Sequence, residues 1–68
     1  MDIRRTLKER RQMLGVTQQE IADITALSLR TIIATENEQA NPSLSTLQKI
    51  ASALGMEIAA VIKHPDKK

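Results

Sequence analysis

The stretch "SLRTIIATEN", Ser28 to Asn37, holds one cation, Arg30, among apolar and small neighbours. Ile32 and Ile33 are adjacent, and successive residues of a helix are turned about 100° from each other, so the two side chains cannot share a direction. With Ile32 turned inward, Leu29, Arg30, Ile33, Ala34 and Asn37 fall on the outward arc. Such an arc can donate hydrogen bonds and cover apolar surface; it holds no nucleophile or base. No nucleophile–base–orienter set is visible, no glycine-rich phosphate loop exists, and His64 stands alone without a Cys or carboxylate cluster. The residues point to binding, not to an enzyme, and imply no metal and no cofactor.

The chain has 68 residues, a net charge of +2 and a pI of about 9.4. One domain is expected, with a core so small that it often gains from a partner chain. There is no Cys, so neither a disulfide nor a thiolate metal site can staple it. There is no aromatic residue either, so stacking platforms for single-stranded nucleic acid are excluded. No apolar run is long enough to span a bilayer. The N-terminus carries Asp2, Arg4, Arg5 and Lys8 with no apolar stretch behind them, unlike a secretory signal. A cytoplasmic protein fits these features. Charge is uneven. Arg4, Arg5, Lys8, Arg10 and Arg11 crowd the start, whereas Arg30 is the single cation between Gly15 and Thr46. A polyanion-binding protein needs its cations gathered on one face, which only the fold can do.

Four helices are expected to position these residues. Ile3, Leu7, Arg11 and Leu14 form one stripe over about Asp2 to Leu14, closed by Gly15 in a C-cap position. Thr17 and Glu20 make a capping box for a helix from Gln18 to about Thr25, burying Ile21 and Ala22. Ser28 caps a third helix, Leu29 to about Glu36. A polar loop with Asn41–Pro42 leads to a fourth, from Ser43 or Ser45 to Leu54–Gly55, with Leu44, Leu47, Ile50, Ala51 and Leu54 on one stripe. Met56 to Lys63 is ambiguous. It reads as a strand with Met56, Ile58, Ala60 and Ile62 on one face, or as a fifth helix, and the strand is favoured. Residues 64–68 are expected to be a flexible tail to a single 1–63 domain.

Two short helices joined by a tight turn, the second capped and amphipathic, form a helix-turn-helix pattern. "TQQEIA", "S..TI...EN" and "NPSL.TL.KIA.ALG", spaced as they are, resemble the Xre-type family, the Cro and phage-repressor type. "SLRTI", "NPSLSTLQKIASALGM" and the short C-terminal extension are most similar to HipB-type antitoxins. The resemblance covers about residues 3 to 62. It implies an all-α, lambda-repressor-like fold of five elements, the fifth being the C-terminal strand or helix.

The resemblance also implies roles. Gln18 would touch a phosphate at a helix N-terminus. Ser28, Leu29, Arg30, Ile33 and Ala34 match base-reading and backbone-touching positions, and Asn37 a phosphate-contacting one. Arg30 would pair with a guanine, and Leu29, Ile33 and Ala34 would meet thymine methyl groups. Arg11 and Glu36 match a family ion pair. Met56, Ile58, Ala60 and Ile62 would dimerise the protein through paired strands. The partners implied are a double-stranded DNA operator, a second copy of the chain and a HipA-like kinase toxin. Three departures stand out: Ala26 and Glu38 replace usual glycines, and Ile33–Ala34 replace usual polar residues. The last two features favour a rival reading, a protein-interaction module that no longer reads DNA.

Overall fold

The computed structural model describes residues 2–59. Among them are four helices and no strand: α1 (Ile3–Met13), α2 (Gln18–Thr25), α3 (Leu29–Glu36) and α4 (Leu44–Ala53). Each begins at a short polar side chain that accepts a backbone N–H otherwise lacking a partner. Asp2 accepts from Arg4, Thr17 from Glu20, Ser28 from Thr31 and Ser43 from Thr46. The box at α2 is reciprocal, since Glu20 also accepts the Thr17 N–H at 2.8 Å. Those hydrogen bonds from Thr17 hold the Glu20 carboxyl below its usual range. Asp2 is held well below that range by the Arg4 guanidinium, which donates to its carboxylate.

Three helices close in the same way. The second residue past the last full turn bonds back to a carbonyl five residues earlier, with a left-handed residue between. Val16 donates to Arg11, Gln39 to Ala34 and Met56 to Ala51. The left-handed residues are Gly15, Glu38 and Gly55, with φ of 70°, 60° and 72°. Glycine has no penalty there, whereas Glu38 does. The turn between α2 and α3 also needs a left-handed residue, and it is Ala26, at φ 61°. The tight turn is therefore retained without glycine, at the cost of local strain. Ala26→Gly should stabilise the domain by about 0.5–1 kcal/mol, once the greater freedom of glycine in the unfolded chain is offset. A thermal melt checks this, and a lower midpoint would contradict the strain.

The core is Leu7, Ile21, Ala22, Ile32, Ile50, Ala51 and Leu54. α2 packs on α3 and α4, and α1 packs on the same two helices. α3 is thus wedged between α1 and α2 and does not pack on α4, which leaves one long side of α3 uncovered. Ala22 is buried and has the small side chain that close approach of α2 and α3 requires. Two stripe residues do not enter the core. Leu14 follows the last turn of α1 and is exposed, and Leu44 opens α4 and is exposed. At a helix end the chain leaves the packing plane, so periodicity overestimates burial there.

After Gly55 the described chain is neither strand nor helix. Met56 and Ile58 pack against the core of their own chain, while Glu57 and Ala59 are exposed. That alternation is the strand pattern without a strand partner. A fifth helix starting at Met56 does not form over these residues. Ala60 and Ile62 of the expected dimerising face, and the 64–68 tail, lie outside the described residues.

Candidate nucleic-acid interface

Ile32 is buried at 1 % exposure, and Ile33 stands open at 37 %. The helical turn between them assigns one to the core and one to the outer face of α3. Ser28, Leu29, Arg30 and Asn37 are exposed around Ile33, and Ala34 is half-buried among them. Arg30 and the outer sides of its neighbours are therefore accessible from outside the domain. This arc can offer one guanidinium fork, a hydroxyl engaged in capping, a terminal amide at Asn37 and an apolar strip. Ser28 is already engaged within its own helix turn. Its Oγ accepts the Thr31 N–H at 3.1 Å and lies 2.8 Å from the Thr31 hydroxyl.

Beside this arc lies a charged cluster that locks α1, α2 and α3 together. Arg11 Nε donates to Glu36 Oε2 at 2.6 Å and Nη2 donates to Oε1 at 3.0 Å, a two-pronged pair. The third prong, Nη1, donates to the Val16 carbonyl at 2.6 Å. Gln18 Nε2 adds a bond to Glu36 Oε1 at 3.0 Å. The Glu36 side chain is only 7 % exposed and Arg11 12 %. A buried carboxylate is tolerated only when its lone pairs are used, and here three donors use them. The cluster also fixes Gln18 at the start of α2, half-buried, with its carbonyl oxygen and second N–H left over for another partner.

A second set of contacts ties the start of α1 to the loop after α3. Arg4 Nη1 donates to the Ala40 carbonyl at 2.7 Å and approaches Asn41 Oδ1 at 3.4 Å. Arg5 pairs with Glu38 at 3.2 Å. Arg10 Nε donates to the Leu54 carbonyl at 3.2 Å, placing a cation at the C-terminus of α4 where the helix dipole favours it. Sequence reading does not reveal these contacts of Arg4, Arg5 and Arg10, because the acceptors Ala40, Glu38 and Leu54 lie 33 to 44 residues away. Thr35 also escapes it. Its hydroxyl is a buried side-chain polar atom with no hydrogen-bond partner among the described residues.

No group of His, Cys, Asp or Glu among the described residues could hold a metal ion. No described helix is long and apolar enough to cross a membrane.

Comparison with known proteins agrees with this geometry. The helix-turn-helix family model matches residues 7–61. An uncharacterized HTH-type transcriptional regulator of Methanothermobacter thermautotrophicus is 42% identical over 55 residues, 81% of this chain and 80% of that protein. The HTH-type transcriptional regulator PuuR of Escherichia coli is 31% identical over 61 residues, 90% of this chain and 33% of PuuR. The immunity repressor protein of Bacillus phage phi105 is 34% identical over 62 residues, 91% of this chain and 43% of the repressor. The chain thus spans most of the first relative but less than half of the other two. The capped α2, the left-handed turn at Ala26 and the outward arc of α3 lie within the matched segment, and the chain belongs to the Xre/Cro-like helix-turn-helix family.

Proposed function

We propose that this protein is a sequence-specific, DNA-binding transcriptional regulator, and that it represses its own gene by occupying a palindromic operator as a dimer. One observation carries the reading: α3 is anchored from beneath by Ile32 while the arc around Arg30 stays open. A helix held this way can enter a major groove by its N-terminal end. Arg30 would pair bidentately with a guanine, worth about 1–3 kcal/mol of discrimination. Leu29, Ile33 and Ala34 would meet thymine methyl groups, and Gln18 and Asn37 would hold phosphates. With so few hydrogen-bond readers, DNA shape and dimer symmetry must carry much of the selection.

Dimerisation through Met56, Ile58, Ala60 and Ile62 would set two copies of α3 on half-sites about 34–36 Å apart. The "SLRTI" and "NPSLSTLQKIASALGM" motifs support a further role as an antitoxin restraining a HipA-like kinase. A kinase-like reading frame beside this gene supports that role, and its absence favours a free-standing repressor. The apolar exposure of Leu29 and Ile33 favours the rival reading of a protein-interaction module.

A gel shift on the gene's own promoter over a salt series separates the two, since counterion release makes DNA binding weaken steeply with salt. Arg30→Ala should remove discrimination at the base pair it reads, a loss of about ten- to a hundredfold at its guanine. Gln18→Ala should weaken binding evenly across sequences. Discrimination at that guanine that survives Arg30→Ala would remove Arg30 as the reader.

A further inference from the structure

Glu38 stands where a glycine belongs. It is the left-handed residue that closes α3, at φ 60°, and the equivalent residues after α1 and α4 are Gly15 and Gly55. A carboxylate there is doubly unfavourable for a protein that binds a polyanion. The backbone is strained, and the charge sits one residue past Asn37, at the end of the DNA-facing helix. Its side chain is not idle. Both oxygens face Arg5, with Nε donating at 3.2 Å and Nη2 at 3.4 Å. Arg5 is itself 64% exposed on its other sides. Arg4, next to it, is fastened to the Ala40 carbonyl of the same loop, so α1 and the loop are held in register.

We infer that Glu38 withholds Arg5 from the DNA backbone, keeping a phosphate contact in reserve and setting the affinity of the domain below its maximum. The inference rests on the DNA-binding reading above. An Arg–carboxylate pair has no net charge and displaces no counterion from DNA. The same Arg released from its carboxylate is a mobile cation on a long side chain, paired until then with the residue that follows Asn37, a proposed phosphate contact. A guanidinium fork fits a phosphate as well as it fits a carboxylate. An exposed pair of this kind is weak, so removing the acid frees the base without disturbing the fold.

The test is a salt series on the gene's own promoter with four forms of the full chain: parent, E38Q, R5Q and the double variant. Glu38→Gln keeps the side chain and its backbone geometry and removes only the charge. The expected result is several-fold tighter binding by E38Q, with the slope of log K against log salt steeper by about 0.9, the value for one added phosphate contact. Adding R5Q should cancel both changes. A gain from E38Q that persists in the double variant overturns the inference, because Glu38 would then act by repelling DNA directly. Unchanged binding by E38Q, with the parent bound and all four forms melting alike, also overturns it. Absence of salt-sensitive binding by every form overturns the DNA reading itself and this inference with it.

Discussion

Ile32→Ala should strongly destabilise the protein, whereas Ile33→Ala should leave the fold intact and weaken DNA binding. The side chains are adjacent and chemically identical, and only their direction differs. Ile32 is among the largest fully buried side chains and belongs to the same core cluster as Leu7 of α1 and Ile21 and Ala22 of α2. Truncating a buried isoleucine to alanine costs about 2–5 kcal/mol through lost transfer energy and the cavity left behind. A 68-residue domain has a total stability of roughly 3–10 kcal/mol. The loss is therefore a large share of the whole, and the melting midpoint should fall by at least ~10 °C. Ile33 is already partly in water, so its truncation should change stability by less than about 0.5 kcal/mol. Its effect should instead appear in affinity for sites whose thymine methyl groups it would cover. Thermal melts of both variants, with operator binding for Ile33→Ala, decide the matter. Equal destabilisation by the two changes would mean that Ile33 also belongs to the core.

The second large effect is expected at Arg11. Arg11→Ala removes two of the three side-chain donors to Glu36 and leaves a carboxylate that is only 7 % exposed facing Gln18 alone. Breaking a buried pair from one side costs about 3–5 kcal/mol, because the remaining charge is left without compensation. The Val16 carbonyl loses its donor as well. The melting midpoint should fall by at least ~10 °C. Replacing both partners with apolar residues should act differently. Arg11→Met with Glu36→Leu leaves no stranded charge, and such exchanges are often neutral or better. The double variant should therefore be more stable than Arg11→Ala, but it should bind DNA less well, since Gln18 loses the anchor that aims it. A denaturant melt and a gel shift on the same samples check both halves. If the double variant is the less stable of the two, the stranded charge is not the source of the cost.

These expectations join stability to recognition in one cluster. The carboxylate that closes α3 onto α1 also holds Gln18 at the start of α2. The proposed phosphate contact is therefore part of the same packed unit that supports α3. A loss of the Arg11–Glu36 contact should be felt on the DNA before the chain unfolds, as weaker binding that is even across sequences.

Much of this molecule is legible along the chain. Thr17 and Ser28 open helices where the sequence places them, because a short oxygen-bearing side chain reaches a backbone N–H three residues ahead; the structure adds Asp2 as a cap and chooses Ser43 over Ser45. Gly15 and Gly55 close helices because only a left-handed residue can end them that way. The division of labour between Ile32 and Ile33 follows from 3.6 residues per turn. All of these are local effects, acting within about one turn, and a sequence states them directly. Leu14 and Leu44 mark the limit of that reading, since their stripes continue in sequence past the point where the helices touch the core.

The electrostatics around the candidate site depend on contacts the chain order does not display. The sequence shows a basic start and an acidic middle, and the resemblance to its family names Arg11 and Glu36. Packing alone decides that Arg5 meets Glu38, that Arg4 reaches the Ala40 carbonyl, that Arg10 caps α4 and that Gln18 shares the Glu36 carboxylate. The same packing tolerates Ala26 and Glu38 in left-handed turns where glycine would be at ease. The physical reason is range. Capping and periodicity operate over a few residues, whereas a guanidinium finds its acceptor only after α1 has been laid across α3 and α4.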